Sequence, residues 1–301
     1  MDSSRGSSSA TSSGSGNEFN DKPEDFFTNE NGFKIFCKYW GGRIKSPRGL
    51  VFMCHGAGEH CLYYTELAEL LGERHLFVFA HDHQGHGQSE GPRMHITDIR
   101  DYVRDIFQHI DSVKEKFPDL PVFIIGHSMG GAVSILAALD QPEYFAGVVL
   151  ISPAVTPEQD TVGPIRICCG KILARCFPQC PVLYLKSEDI SRDMAHCRKF
   201  QDDPLNYHGG LKAQWALSLL FALQEIDQKL DTIKWPFLVI HGDADKIVNS
   251  KGSEALYRRA ASFDKTLKIY PGCYHQPHFD IEPVISESRE LIVEWVTQHL
   301  P

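Results

Sequence analysis

Apolar runs of four to six residues recur through this chain: GLVFMC at 49–54, LFVFA at 76–80, VFII at 122–125, VVLI at 148–151, FLVI at 237–240 and LKIY at 267–270. Longer amphipathic stretches lie between them, among them 63–73, 99–117, 132–141 and 250–261. Uniformly apolar strands alternating with helices are what a parallel sheet needs, because each crossover requires a long connection and helices then cover both faces. KIFCKYW at 34–40 alternates apolar with polar instead, which predicts an antiparallel edge strand. The expected class is α/β, a mostly parallel central sheet flanked by helices. Ligands of such sheets bind beyond the carboxyl ends of the strands. Those ends carry HGAGEH, HDHQGHG, GHSMGG, HGDAD and PGCYHQPH, so loops rich in His, Asp, Ser and Gly should converge. The interval 153–235 breaks the alternation. It lacks convincing strands, holds several prolines, and is read as a helical insertion capping the site, with the core formed by 26–152 and 236–301.

The net charge of −9 excludes a polyanion partner, because nucleic-acid binding needs a basic footprint. No apolar run approaches the roughly 18 residues of a membrane-spanning helix. The opening MDSSRGSSSATSSGSGNEF has no apolar core of a signal peptide and too much Ser and Gly to pack, so residues 1–25 are expected to be a disordered tail. Nine cysteines in a chain without a secretory signal predict reduced thiols and a cytoplasmic location. The cluster Cys168, Cys169, Cys176 and Cys180 has no CxxC pair and is not read as a metal site.

Gly126-His127-Ser128-Met129-Gly130 matches G-x-S-x-G directly after the strand VFII and directly before a helix-forming stretch, the context in which that motif carries a serine nucleophile. A serine hydroxyl becomes nucleophilic only when a base takes its proton and a carboxylate holds the base in the right tautomer. The chain order of this arrangement is Ser, then acid, then His. Asp243 and Asp245 both follow FLVI; Asp245 is favoured, because two extra residues let the chain curl back, while Asp243 serves the turn. His275 follows the last strand and is the favoured base, with His278 as competitor. The oxyanion needs two preformed N–H donors. Met129, after the nucleophile, and Ala57, in the glycine-flanked HGAGEH loop, are expected to supply them.

HDHQGHG places His81, Asp82, His83 and His86 at nearly the H-x-H-x-D-H spacing of metallo-β-lactamase-type hydrolases. The position where that signature has aspartate is Gly85, and Gly85 and Gly87 suit a tight turn. The three imidazoles are therefore expected to bond to loop backbone rather than to zinc, and neither a metal nor a cofactor is expected.

From about Asn31 onward the chain resembles the monoacylglycerol lipases, which are α/β-hydrolases. The resemblance is carried by HGAGEH, FAHDHQGHGQSEGPRM, LPVFIIGHSMGGA, FAGVVLISP, DPL with GLK close behind, and DKTLKIYPGCYHQPH. It implies Ser128, Asp245 and His275 as triad, Ala57 and Met129 as oxyanion donors, and Glu59 and His278 in a polar pocket for the glycerol head. Two positions depart from the family pattern. Its pocket arginine is Tyr63 here and its tyrosine before DPL is Phe200, which makes this pocket less polar. The resemblance implies hydrolysis of monoacylglycerols to fatty acid and glycerol. A lysophospholipase-type esterase shares the machinery, and a metallohydrolase or a non-enzymatic module of the same fold are more distant readings. In the insertion, Ile165, Cys168, Cys169, Ile172, Cys176 and Phe177 form an apolar stripe near Arg166, Lys171, Arg175 and Lys186, with no acidic residue between 164 and 186. That pattern predicts an element that touches a membrane surface and admits lipid, making the protein peripherally membrane-associated.

Overall fold

The computed structural model describes residues 25–41, 46–157 and 163–301; nearly all of the tail expected at 1–25 lies outside them. The strands are β1 (Phe26–Thr28), β2 (Lys34–Trp40), β3 (Gly49–Cys54), β4 (Leu76–His81), β5 (Val122–His127), β6 (Gly147–Ile151), β7 (Pro181–Leu183), β8 (Leu211–Lys212), β9 (Phe237–Gly242) and β10 (Lys265–Tyr270). The helices are α1 (Thr65–Gly72), α2 (Arg100–Lys114), α3 (Met129–Asp140), α4 (Pro164–Cys176), α5 (Met194–Asp202), α6 (Ala213–Lys229), α7 (Lys251–Arg259) and α8 (Val284–Gln298). Eight strands form one sheet in the order β1-β2-β4-β3-β5-β6-β9-β10. The pairs β1/β2 and β2/β4 are antiparallel and the other five are parallel.

Burial on both faces explains the uniform apolar runs. Leu50, Phe52 and Cys54 of β3 point into one core layer, with Tyr102 and Ile106 of α2, Val133 and Leu136 of α3, and Trp215 of α6. Val51 and Met53 point into the other, with Leu67 of α1 and Ile292 of α8. From β3 the chain winds outward to β4 and then returns to β5 on the opposite side. Strand order thus reverses between β3 and β5, the crevice where open parallel sheets take their ligands.

The structure departs from the expected elements in specific ways. β2 is not the edge strand, because β1 pairs outside it. β4, β5 and β9 run one or two residues past their apolar runs, to His81, His127 and Gly242, so the first polar residue of each loop is still in the ladder. α3 starts at Met129, three residues earlier than expected, despite two glycines in its first turn. A β-carbon at Gly130 would collide with the backbone carbonyls of Cys54 and His55, so close approach to β3 outweighs helix propensity there. Between β6 and β9 lie α4, α5 and α6 together with the antiparallel pair β7/β8, which corrects the expectation of no strands. Strands of two and three residues are too short to show a period.

The histidine loop is a turn, with φ of 75° at Gly85 and 46° at Gly87. Asp82 accepts from the backbone N–H groups of Cys61 and Gln88, both at 2.7 Å. His86 bonds to the carbonyl of Gln84 at 3.2 Å, as expected. His81 and His83 do not bond to backbone through their rings. His81 Nδ1 meets His109 Nδ1 at 3.3 Å and His83 Nε2 meets Cys54 Sγ at 3.3 Å, because both side chains point into the apolar layer. With His55 they form a buried cluster, His55 and His83 having ring centroids 4.3 Å apart and tilted by 48°, and His83 lying edge-on to His81.

Burial, joined at most of these sites by neighbouring imidazoles, pushes His55, His81 and His83 well below the usual histidine pKa, His86 to about 4 and His109 to about 3. Each folded pKa lies below the unfolded value of about 6.5, so between the two the unfolded chain binds more protons. Stability from this source is intact above pH ~6.5 and is lost as pH falls below it. At pH 5 each histidine costs up to about 2 kcal/mol, and the group up to about 10 kcal/mol, comparable to the stability of a whole domain. Urea midpoints should fall steeply between pH 6.5 and 5, with a shallower slope for His109→Phe. A flat midpoint across that interval would show that these imidazoles do not resist protonation.

Candidate active site

Ser128 sits between β5 and α3 with φ 54° and ψ −117°, a conformation that L-residues adopt only under constraint. The constraint is visible. Ser128 N–H donates to Ile151 O at 3.0 Å, and Ser128 O accepts from Gly131, Ala132 and Ala154. A β-carbon at Gly126 would strike Ser134 and the backbone of Gly130, so the turn can be made only with glycine there. Met129 opens α3, and the first N–H groups of a helix have no acceptor within it. Ala57, Ser128 and Met129 together line the same cavity.

His275 lies against the residue preceding this serine, its ring centroid 4.9 Å from that of His127. Its Nδ1 is 2.6 Å from Asp245 Oδ2. That oxygen also meets His241 Nε2 at 3.0 Å, while Asp245 Oδ1 accepts from the N–H groups of Ile247 (2.8 Å) and Val248 (3.0 Å). Burial pushes the Asp245 carboxyl up, but its electrostatic and hydrogen-bond interactions with the His275 and His241 imidazoles outweigh it and hold the pKa below the usual carboxylate range. Burial lowers the His275 pKa despite the carboxylate beside it, so the imidazole is neutral at rest, the state a base requires. Asp243 is exposed and its Oδ1 accepts from Gly272 N–H at 2.5 Å, which ties the turn. His241 is a participant that sequence reasoning missed; its signal is the first residue of HGDAD, four before Asp245.

The pocket residues are placed differently from a simple polar wall. Glu59 is buried and saturated: Oε2 accepts from Gly56 N–H (3.1 Å), Tyr64 OH (2.9 Å) and His127 Nδ1 (3.2 Å), and Oε1 from Gln276 Nε2 (2.6 Å). Burial works against the Glu59 charge, yet His127 and these donors hold its carboxyl well below the usual range. His278 is fully buried, stacked on Tyr64 at 5.6 Å, and neither ring nitrogen has a partner. Neither Glu59 nor His278 lines the cavity. Tyr63 accepts a bond from Asn206 Nδ2 at 2.9 Å and packs beside Phe200 and edge-on to His196, so an aromatic surface stands at these positions. Gln276 is the second participant missed, for nothing in the loop sequence marks its long-range partners.

The cavity holds about 420 Å³, a volume typical of small-molecule sites. Ala57, Ser128 and Met129 line it together with Leu173 of α4, Trp215, Leu219 and Leu223 of α6, and Val248, which make most of its wall apolar. Ile167, Gly170 and Leu173 show that the inward face of α4 differs from the stripe read in the sequence. Cys168, Cys169, Ile172, Cys176 and Phe177 face solvent instead. The side chains of Ile165, which that stripe included, and of Arg166 beside it lie outside the described residues.

The Hydrolase_4 family model, described as serine aminopeptidase S33, matches residues 45–282. Human monoglyceride lipase is 42% identical over 270 residues, covering 90% of this chain and 89% of its own length. The mouse monoglyceride lipase is 39% identical over 272 residues, with the same coverage. This chain belongs to the monoacylglycerol lipase family of α/β-hydrolases. A crystal structure of the Paleococcus ferrophilus monoacylglycerol lipase superposes with a TM-score of 0.76 at 30% identity, covering 88% of this chain and 99% of that one. The serine turn follows β5, and Asp245 and His275 follow β9 and β10, all at the carboxyl ends of parallel strands. Tyr63 and Phe200, the two positions expected to depart from the family pattern, pack on each other where the loop after β3 meets α5 of the insertion.

Proposed function

We propose that this chain hydrolyses monoacylglycerols to fatty acid and glycerol, with Ser128 as nucleophile, His275 as proton shuttle and Asp245 as its orienter. The observation that carries this reading is a strained serine lining an apolar cavity, with a buried histidine packed on the residue before it whose Nδ1 is engaged by a carboxylate at 2.6 Å. His275 Nε2 takes the serine proton as Oγ attacks the ester carbonyl, and Asp245 stabilises the imidazolium formed. The Ala57 and Met129 N–H groups receive the oxyanion. His275 returns the proton to the glycerol leaving group, and water then releases the acyl-enzyme by the same steps. The resemblance implies a glycerol-side role for Glu59 and His278, although neither lines the cavity here and both Glu59 oxygens are already engaged by protein donors; the aromatic Tyr63 and Phe200 favour a less polar head group. The deciding experiment compares monoacylglycerol, diacylglycerol, triacylglycerol and lysophospholipid under identical dispersion. Monoacylglycerol should be turned over fastest, and preference for lysophospholipid would move the reading to that esterase class.

The segment 153–235 is read as a cap that also meets a membrane surface, giving peripheral association in the cytoplasm. Among the described residues no helix is long and apolar enough to cross a bilayer. Ile172 is 59% and Phe177 65% exposed, with Leu183 and Tyr184 exposed beyond them, and Lys171, Arg175 and Lys186 are the neighbouring charges. An exposed apolar surface with a cationic border suits an anionic lipid interface. Replacing Ile172 and Phe177 together by serine removes about 3 kcal/mol of lipid contact, so vesicle binding should weaken at least tenfold and hydrolysis of dispersed lipid should slow. A short soluble ester should be hydrolysed as before. Equal loss on both substrates, with a lowered Tm, would mean internal packing instead.

A further inference from the structure

One buried side chain links the insertion to the site without any part in the chemistry above. Gln276 directly follows His275 and is 1% exposed. Its backbone N–H donates to Ile190 O at 2.8 Å. Its carboxamide lies between His196 Nε2 of α5, 2.7 Å from Oε1, and Glu59 Oε1, 2.6 Å from Nε2. Glu59 is an acceptor only, so the amide nitrogen faces it, the amide oxygen faces His196, and His196 carries its proton on Nε2. The second Glu59 oxygen takes the N–H of Gly56, next to Ala57, and Nδ1–H of His127, next to Ser128. A continuous chain of hydrogen bonds therefore runs from α5 to the neighbours of the base, the oxyanion donor and the nucleophile.

We propose that Gln276 is a positioning residue that makes the alignment of His275 and of the 55–60 loop depend on the seating of the insertion. The proposal rests on the roles given above to Ser128 and His275. With α5 in place the amide is satisfied on both sides and holds Glu59 against Gly56. When the segment 190–202 moves away as a unit, Gln276 loses Ile190 and His196 together, and the residue after the base is no longer fixed. Two further bonds, Tyr207 N–H to Gly58 O at 2.8 Å and His60 Nε2 to Asp203 Oδ2 at 3.0 Å, join the same loop to the insertion, so its position already follows that segment. A purely apolar residue at 276 would fill the space, but it would leave His196 Nε2–H without its acceptor and Glu59 without one of its four donors.

The test uses the full chain with Gln276→Met, His196→Ala and the double variant. The readouts are kcat and KM on a monoacylglycerol and on a short p-nitrophenyl ester without a glycerol head, the rate of fluorophosphonate labelling, and Tm. Gln276→Met should lower kcat about 10- to 30-fold on both esters and slow labelling to match, with KM changed less than about threefold. His196→Ala should reproduce the pattern, and the double variant should be no worse than the weaker single, as residues in one network behave. A loss confined to KM for monoacylglycerol would make Gln276 a head-group ligand and overturn the proposal, as would full activity of both singles or additive losses. If Gln276→Met fails to fold, His196→Ala, which is half-buried, decides alone. Wild type that labels and cleaves the short ester but not monoacylglycerol would refute the substrate reading and leave these comparisons valid.

Discussion

Ser128→Ala is expected to lower kcat by about 10⁶-fold, the scale on which a serine nucleophile acts within its triad. The fold should be untouched. Alanine has the same β-carbon as serine at φ 54°, so the strain of the turn neither grows nor relaxes, and its backbone bonds to Ile151, Gly131, Ala132 and Ala154 remain. What remains of catalysis should come from the oxyanion donors and the apolar cavity, roughly 10³-fold over water. A fluorophosphonate should label the wild type at Ser128 and the alanine variant nowhere. Substantial turnover by Ser128→Ala with a native Tm would refute the serine mechanism.

Asp245→Asn should cost about 10⁴-fold in kcat, because the surrounding donors force the amide into the damaging orientation. Oδ1 accepts from the N–H groups of Ile247 and Val248, which only an oxygen can satisfy. The asparagine nitrogen must then occupy the Oδ2 position and point its hydrogens at His275 Nδ1 and His241 Nε2. His275 would have to accept there, moving its proton to Nε2, where it can no longer receive the serine proton. Asp243→Asn keeps an oxygen for Gly272 N–H on an exposed turn, and its kcat should stay within about threefold of wild type. Measuring kcat for the two variants on one ester settles the choice, and a larger loss for Asp243→Asn would reverse the assignment.

The sequence carried the parts of this molecule that repeat or that sit next to one another. Strand runs were legible because both faces of the parallel strands are buried, and Ser128 was legible because a strained turn needs glycine on both sides. Asp245 could be separated from Asp243 by the length of chain needed to curl back. Glu59 as a four-donor junction was not legible, since its donors come from residues 56, 64, 127 and 276 and share no spacing. His81 and His83 were misread because a polar residue after a strand end is ordinarily assigned to the loop, whereas here the β4 ladder reaches His81, and the rings of His81 and His83 pack against His109 and Tyr102 of α2. The outward stripe of α4 was read correctly as a stripe but hid the cavity-facing one, since small and apolar residues fall on both sides of that helix.

That two-sided α4 has a kinetic corollary. Leu173 faces the cavity and Ile172 faces outward, so one helix about 10 Å across is all that separates the acyl site from whatever touches its outer face. With α4 seated on a lipid layer as proposed, a substrate dissolved in that layer would reach the cavity without passing through bulk water. Rate should follow the mole fraction of substrate in the layer rather than its total concentration. Diluting the substrate with inert phospholipid at constant bulk amount should therefore slow the reaction, while diluting the whole suspension with buffer, once the protein is bound, should not.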